Sequence, residues 1–152
     1  MRKIILIAAL VLGIATTAAA QPKAIGLRGA NGVELSYQQY LRGGANFLEF
    51  DLGLVTFNAL NFAADYDWYL YQDGGFGLYG GIGAAAGFSF EKEHGGIHLA
   101  FAPQFGIEYQ FNIPLQLSLD IRPQIGWSSY EAGKGGHFYS FWYPALGIRY
   151  CF

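Results

Sequence analysis

The sequence predicts an all-β protein, an eight-stranded antiparallel up-and-down transmembrane β-barrel, and three observations lead to that prediction. Apolar and polar residues alternate along most of the chain, most regularly from Leu115 to Trp127, where the odd positions are apolar or proline. The composition combines 53% hydrophobic residues with only 13% charged ones, which is too apolar for an ordinary soluble domain. After residue 20, the sequence contains no apolar run near the roughly 20 residues that a membrane-spanning helix needs.

The start of the chain is predicted to be a secretory signal peptide. A short basic start is followed by an apolar run from Ile4 to Ala15, and three alanines close the segment at Ala20. We therefore expect a signal peptide over 1–20 and a single barrel domain over 21–152. Removing the signal leaves 7 basic residues against 11 acidic ones, a net charge of −4. This balance argues against a nucleic-acid partner, which would need a basic patch.

Eight segments beyond the signal alternate between apolar and polar residues and are bounded by turn-forming residues, so each is predicted to be a strand. Asn31-Gly32 divides the first two and fits either a tight hairpin or a bulge in one longer strand. The hairpin is preferred because single-chain bacterial barrels close with an even number of strands. The predicted strands are Lys23–Ala30, Val33–Leu41, Phe47–Thr56, Leu60–Tyr71, Phe76–Phe90, Ile97–Phe111, Leu115–Tyr130 and Phe138–Phe152.

The connections differ between the two ends of the predicted barrel. Three short ones lie at the end that carries both termini, namely Arg42–Asn46, Gln72–Gly75 and Asn112–Pro114. Two longer ones, Glu91–Gly96 and Glu131–His137, lie at the opposite end. Short turns are typical of the periplasmic side of such barrels, and longer loops of the outer side. The aromatic residues predicted to form a membrane-interface girdle near the short turns are Tyr66, Trp68, Tyr109, Phe111, Tyr150 and Phe152.

The two faces of the predicted strands differ in charge. One face is apolar and uncharged, whereas the other carries charges interleaved with glycine. We predict that the apolar face meets lipid and that the charged face plugs the lumen, because an eight-stranded barrel has room inside only for side chains. Buried charges need partners, so we expect a network of salt bridges and hydrogen bonds. The residues of this predicted lumen charge network are Arg28, Glu34, Glu49, Asp51, Asp65, Asp67, Glu108, Asp120, Arg122 and Arg149.

Two other arrangements stay open at this point. The excess of acids over arginines on the charged face favours a narrow cation-preferring pore or a proton path, against which stands the narrow lumen of an eight-stranded barrel. A soluble secreted lipocalin-like ligand-binding barrel would have the faces inverted, with the charges on its surface. Such a surface needs many lysines and glutamates, yet Lys23 is the only lysine in the predicted strands.

The residues from Ala145 to Phe152 resemble the terminal targeting strand of outer-membrane β-barrels. Gly147, Tyr150 and Phe152 match that strand, and Ala145 stands where a polar residue is usual. The predicted mature chain resembles small eight-stranded barrels of the outer-membrane protein A-like type, including its turn at Asn112-Ile113-Pro114. The resemblance implies a bacterial outer-membrane location among lipid and lipopolysaccharide, delivery by periplasmic chaperones and insertion by the barrel-assembly machinery. It implies no activity.

The three histidines fall near the predicted outer rim. Some eight-stranded barrels are lipid A acyltransferases or deacylases that place a histidine and a serine at this rim, where the imidazole activates the hydroxyl. His94, His98 and His137 share this region with Ser128 and Ser129, but no local motif supports catalysis and no tight spacing supports a metal site. We predict no catalytic residue, no metal and no cofactor. The predicted role is non-enzymatic, structural or surface-exposed, with lipid modification as the alternative.

Three prolines lie on the apolar face within predicted strands. Pro103, Pro123 and Pro144 each remove one hydrogen-bond donor from the sheet. Pairing Phe111 with Leu115 and Ser129 with Phe138 would place the three prolines in one row. The row fits either bends that add curvature or a loosened wall through which a lipid chain enters the lumen.

Overall fold

A computed structural model describes residues 23–41, 43–55, 59–90, 96–129, 136–142 and 144–152. The predicted signal peptide lies outside these ranges, as do most residues of the two predicted outer loops. The chain forms antiparallel strands in this order: β1 Lys23–Gly29, β2 Gly32–Tyr40, β3 Asn46–Val55, β4 Ala59–Asp73, β5 Phe76–Ser89, β6 Gly96–Phe101, β7 Gln104–Gln110, β8 Leu115–Ile121, β9 Gln124–Ser128, β10 His137–Phe141 and β11 Pro144–Cys151.

These segments build a closed barrel of eight strands. β6 with β7, β8 with β9 and β10 with β11 are the two halves of three longer strands. β5 pairs with both β6 and β7, β9 and β8 continue the sheet, and β1 pairs with β2 on one side and β11 on the other. The predicted all-β class and eight-stranded up-and-down order are confirmed. In the described residues, helices of the length and apolarity needed to cross a membrane are absent.

Tight turns at the end that carries both termini join neighbouring strands into antiparallel pairs. Gly74 and Gly75 join β4 to β5 with φ of 56° and 89°, a left-handed conformation that glycine adopts without steric cost. At the other end, Gly29 pairs with Val33 around Asn31. The Asn31-Gly32 segment therefore belongs to a hairpin, and the alternative of a bulge in one longer strand is wrong.

Alternation places the charged face inside and the apolar face outside, as predicted. Leu119 and Ile148 are each 50% exposed on the outer wall, whereas Arg149 and Asp120 are buried in the interior. A soluble protein shows the opposite distribution, with large apolar side chains in its core and charges on its surface.

The prolines mark the interrupted strands but do not form a single row. Phe101 pairs with Ile125 and Phe105 with Ile121, so Pro103 lies opposite Pro123, as predicted. Pro144, however, pairs with Ile121. The expected alignment of Pro123 with Pro144 is therefore wrong.

The error arises from the register between the last strands. Phe138 pairs with Trp127 rather than with Ser129, a slip of two residues from the predicted register. A slip of two leaves every side chain on the same face, so alternation alone does not exclude it. In the observed register, Pro123 lies opposite Trp142.

Candidate functional site in the barrel interior

The predicted lumen residues all point into the barrel, and one cluster forms around Arg28. This arginine of β1 bonds to Glu34 of β2 and to Asp120 of β8, with its Nε 3.1 Å from Asp120 Oδ1. The partners are 92 positions apart in the sequence and meet only because β1 and β11 close the barrel beside β8.

Arg122, between β8 and β9, forms the second cluster. Its guanidinium lies 3.0 Å from Glu34 and 3.1 Å from Asp65, and it also bonds to Asp51. Glu34 therefore bridges Arg28 and Arg122. The two arginines and their acids are one network spanning the interior from β1 and β2 across to β3, β4 and β8.

Arg149 of β11 forms a third cluster nearer the short turns. It lies 2.9 Å from Glu49 Oε1, and it donates to the hydroxyls of Ser36 at 2.9 Å and Ser118 at 2.7 Å. The Gln38 amide donates to the other oxygen of Glu49 at 2.7 Å. All of these side chains are buried, so the cluster fixes its charges without water-exposed groups.

Two residues of the predicted lumen charge network lie inside the barrel but do not bond to an arginine that the structure describes. Asp67 is 0% exposed, and neither of its carboxylate oxygens has a hydrogen-bond partner within the described residues. Glu108 accepts a hydrogen bond from the Tyr69 hydroxyl, and its Oε2 has no such partner there. The structure thus brings eight of the ten residues together in arginine clusters. Their role as a functional site stays a prediction.

An aromatic layer near the short turns was not predicted. Phe47 packs against Tyr40, Tyr69 and Tyr79 with ring centroids 5.3–5.6 Å apart. Tyr40 also accepts from Gln116 at 2.8 Å and donates to Gln38 at 3.1 Å. The signal was present in the alternation, because Tyr40 is two residues from Gln38, Phe47 two from Glu49, and Tyr79 two from Gly77 and Gly81.

A bulge follows one ring of this layer. Tyr69 points inward beside Tyr79, with the same alternation as Asp65 and Asp67. The next pair is Tyr71 with Leu78, so β4 has an extra residue at Leu70, which places Tyr71 on the outer wall. Beyond the layer, on the side of the short turns, lies a cavity of about 510 Å³ whose wall includes Tyr40, Tyr69 and Glu108.

The opposite half of the interior contains His98 and four alanines. His98 Nε2 lies 2.9 Å from Asn61 Oδ1, and Ser128 is its register partner on β9. Ser129 instead bonds to the backbone of Ile97. His94 lies outside the described residues, and within them no group of three His, Cys, Asp or Glu side chains is arranged to hold a metal ion. The buried alanines are Ala63, Ala85, Ala100 and Ala102.

The predicted girdle residues lie at the short-turn end of the outer wall. Tyr66 contacts Trp68, Tyr109 contacts Phe111, and Tyr150 contacts Phe152, with centroids 4.9, 4.9 and 6.3 Å apart. The backbone N–H of Phe152 donates to the Lys23 carbonyl, and the N–H of Lys23 donates to the Phe152 carbonyl, both at 2.8 Å. Gly147 lies beneath Arg149, where an added Cβ would be 3.0 Å from its Nη1. The C-terminal residues thus close the barrel against β1.

Comparison with known proteins identifies the fold. No protein family matches the chain, and no curated protein matches it. Among solved structures, it is similar to the N-terminal β-barrel domain of Pseudomonas aeruginosa OprF, with a TM-score of 0.55 and 14% sequence identity over 87% of this chain and 96% of that one. The predicted fold of a small eight-stranded barrel of the outer-membrane type is confirmed. At this identity the likeness shows the fold alone.

Proposed function

We propose that the protein is an integral β-barrel of the bacterial outer membrane, exported by a cleaved signal peptide, with a plugged polar lumen and a non-enzymatic structural or surface-exposed role. The observation that carries this proposal is the inverted distribution of polarity. Among the described residues, 33 large hydrophobic side chains are exposed, and the charged residues of the predicted network are buried. Withdrawing half of such a side chain from water contributes about 1 kcal/mol, so lipid is favoured over water by tens of kcal/mol.

The same distribution argues against a soluble ligand-binding barrel. Its outer wall would be a nearly continuous apolar surface, whereas soluble monomers seldom expose apolar patches beyond a few hundred Å². Among the described residues its core would contain eleven charged side chains, each of which is costly to bury.

Fractionation of cells expressing the full chain tests the proposal. We expect the protein in the outer-membrane fraction, extracted only by detergent, with faster gel migration before boiling than after it. N-terminal sequencing should begin at Gln21. Release into the aqueous phase without detergent would exclude the membrane assignment.

The proposed partners are outer-membrane lipid and lipopolysaccharide, periplasmic chaperones and the barrel-assembly machinery. The position of Gly147, Tyr150 and Phe152 on the closing strand and just beyond it supports a role as assembly signal. Replacing Phe152 by Ser should lower the amount inserted, while refolding of the purified variant in detergent stays close to normal. Equal insertion in cells would remove the assembly role.

The plugged lumen also predicts a lack of conductance. The arginine clusters and the aromatic layer fill successive levels of the interior, which supports a closed barrel rather than a cation-preferring pore. In planar bilayers we expect no stable unitary current. A reproducible cation-selective current would overturn the plugged lumen in favour of the pore.

One observation favours a second candidate, a lipid-modifying enzyme of the acyltransferase or deacylase type. His98 is oriented by Asn61 and has Ser128 as its strand partner. In an enzyme of this type, Ser128 would be the nucleophile, His98 the base and Asn61 the residue that orients the base. Mass spectrometry of lipid A from cells with and without the protein decides this candidate, because unchanged acylation would eliminate it.

A further inference from the structure

The cavity at the short-turn end has a buried acid, Glu108, in its wall. It lies on the far side of the aromatic layer from the arginine clusters, and its volume of about 510 Å³ is in the range of small-molecule sites. The rings of Tyr40 and Tyr69 line it and stack parallel, with an interplanar angle of 2° and centroids 6.4 Å apart.

Glu108 supplies the negative charge of this cavity. The residue is only 6% exposed, Tyr69 donates to one carboxylate oxygen, and the other oxygen has no hydrogen-bond partner within the described residues. Arg28, Arg122 and Arg149 are all engaged with other acids. Among the arginines that the structure describes, none bonds to Glu108.

Three charged side chains line the cavity. Lys23 carries a positive charge and Asp73 and Glu108 carry negative ones, so their formal charges sum to −1. Tyr40 and Tyr69 also belong to the lining, and aromatic rings attract cations over their faces.

Gly77 of β5 lies beneath Glu108 and Tyr69. An added Cβ would be 2.7 Å from Tyr69 Cε1 and 3.2 Å from Glu108 Cγ, so a larger residue here would press on both side chains. The glycine therefore leaves the space that the acid and the ring occupy in the cavity wall.

We infer that this cavity binds the head of a small organic cation, an ammonium or guanidinium group. Glu108 is its counter-ion, and the rings of Tyr40 and Tyr69 form the wall against which the cation lies. The inference goes beyond the proposed structural role and does not depend on it.

Calorimetry and saturation-transfer NMR on the full chain, folded in a non-ionic maltoside detergent, test the inference. The probes are n-butylammonium, n-butyrate and n-butanol, which share one alkyl chain and differ in the charge of the head. We expect saturable binding of butylammonium and about tenfold weaker binding of the other two. Equal binding of butyrate, or no saturable binding of butylammonium, would overturn the inference.

Three variants locate the site. Glu108→Gln keeps the shape of the side chain and removes its charge, so we expect about a tenfold loss of butylammonium affinity. Tyr69→Phe keeps the ring and releases the carboxylate from its hydrogen bond, so binding should be retained. Glu131→Gln removes the same kind of charge in the predicted outer loop Glu131–His137, outside the cavity lining, and serves as the matched control, with less than about a threefold change.

Heat-modifiable migration confirms that each variant is folded before binding is measured. Unchanged affinity in folded Glu108→Gln would contradict the assignment. If that variant does not fold, the proton signals of Tyr40 and Tyr69 in the wild type decide the matter, because butylammonium bound elsewhere would leave them unshifted.

A lipid headgroup and a soluble cation share this chemistry, and nanodiscs distinguish the two sources. If phosphatidylethanolamine occupies the cavity, butylammonium should bind more weakly in discs of that lipid than in discs of phosphatidylglycerol. Equal affinity in both would assign the site to a soluble cation.

Discussion

Arg149 illustrates how one residue determines the stability of the interior. Its guanidinium neutralises Glu49 and bonds to the hydroxyls of Ser36 and Ser118. Arg149→Met would leave the Glu49 carboxylate buried without its counter-ion, so we expect a loss of about 3–5 kcal/mol in the free energy of unfolding. Urea titration of the protein in lipid vesicles measures this loss.

The double variant Arg149→Met with Glu49→Gln is the control for that measurement. It removes both charges and keeps an acceptor for Gln38, so it should recover about half of the loss. A cost of under about 1 kcal/mol for Arg149→Met alone would mean that the pair is exposed to water.

Two glycines of β1 provide a matched pair for the close packing of the barrel wall. A Cβ added at Gly26 would meet the backbone of β11, 2.6 Å from Arg149 Cα, whereas one added at Gly29 has its nearest neighbour 3.9 Å away at the Leu146 carbonyl. We expect Gly26→Ala to destabilise the barrel by about 1–3 kcal/mol and Gly29→Ala to change it little. Equal effects in urea unfolding would contradict this packing.

At the scale of strands, the sequence predicts the face on which a side chain lies better than it predicts which side chains that residue contacts. Alternation with period two placed Arg28 and Asp120 inside correctly, because each strand separates two media. It did not predict that Arg28 would reach Asp120, since that contact depends on barrel closure. It also misplaced Phe138 by two residues, because a slip of two preserves both faces.

The interior rings were missed for a different reason. Tyr40, Phe47, Tyr69 and Tyr79 have the parity of lumen residues, but the lumen face was predicted from charge and glycine, and aromatic rings have neither feature. The bulge at Leu70 that turns Tyr71 outward has no comparable signal in the alternation, because it changes the parity within a continuous apolar and aromatic run.

The facing prolines lead to a prediction for the strands that contain them. Pro103 and Pro123 lie opposite each other and both lack an N–H, so this position of the wall lacks cross-strand donors. Beside it, the Ala102 N–H donates to the Gly83 carbonyl at 2.9 Å, which limits the interruption. We expect faster hydrogen exchange at the flanking amides of β6 to β9 than in the middle of β4 and β5.

Pro123→Val should slow that exchange by restoring one donor, whereas Pro114→Val, in the turn before β8, should leave it unchanged. Slow and uniform protection of the wild-type strands would refute the loosened wall and leave the prolines as bends that add curvature.

At the scale of the whole molecule, lipid outside and buried charges inside, most of them paired, explain the same sequence pattern. The outer wall needs lipid because its apolar side chains are exposed in every described strand pair, and the lumen needs arginines because its acids are buried. The fold follows from these two requirements together with tight turns. The activity does not, because side chains that fill a lumen and side chains that bind a ligand have the same alternation.

Paramagnetic broadening in lipid nanodiscs tests this arrangement most directly. With leucine and alanine methyl groups labelled and a nitroxide placed in the lipid chains, Leu52 and Leu119 on the outer wall should broaden strongly. Ala63 and Ala102, which are 0% exposed in the interior, should broaden little. Broadening of the alanines with sharp leucine signals would show that the faces are inverted and would contradict a lipid-facing wall around a plugged polar lumen.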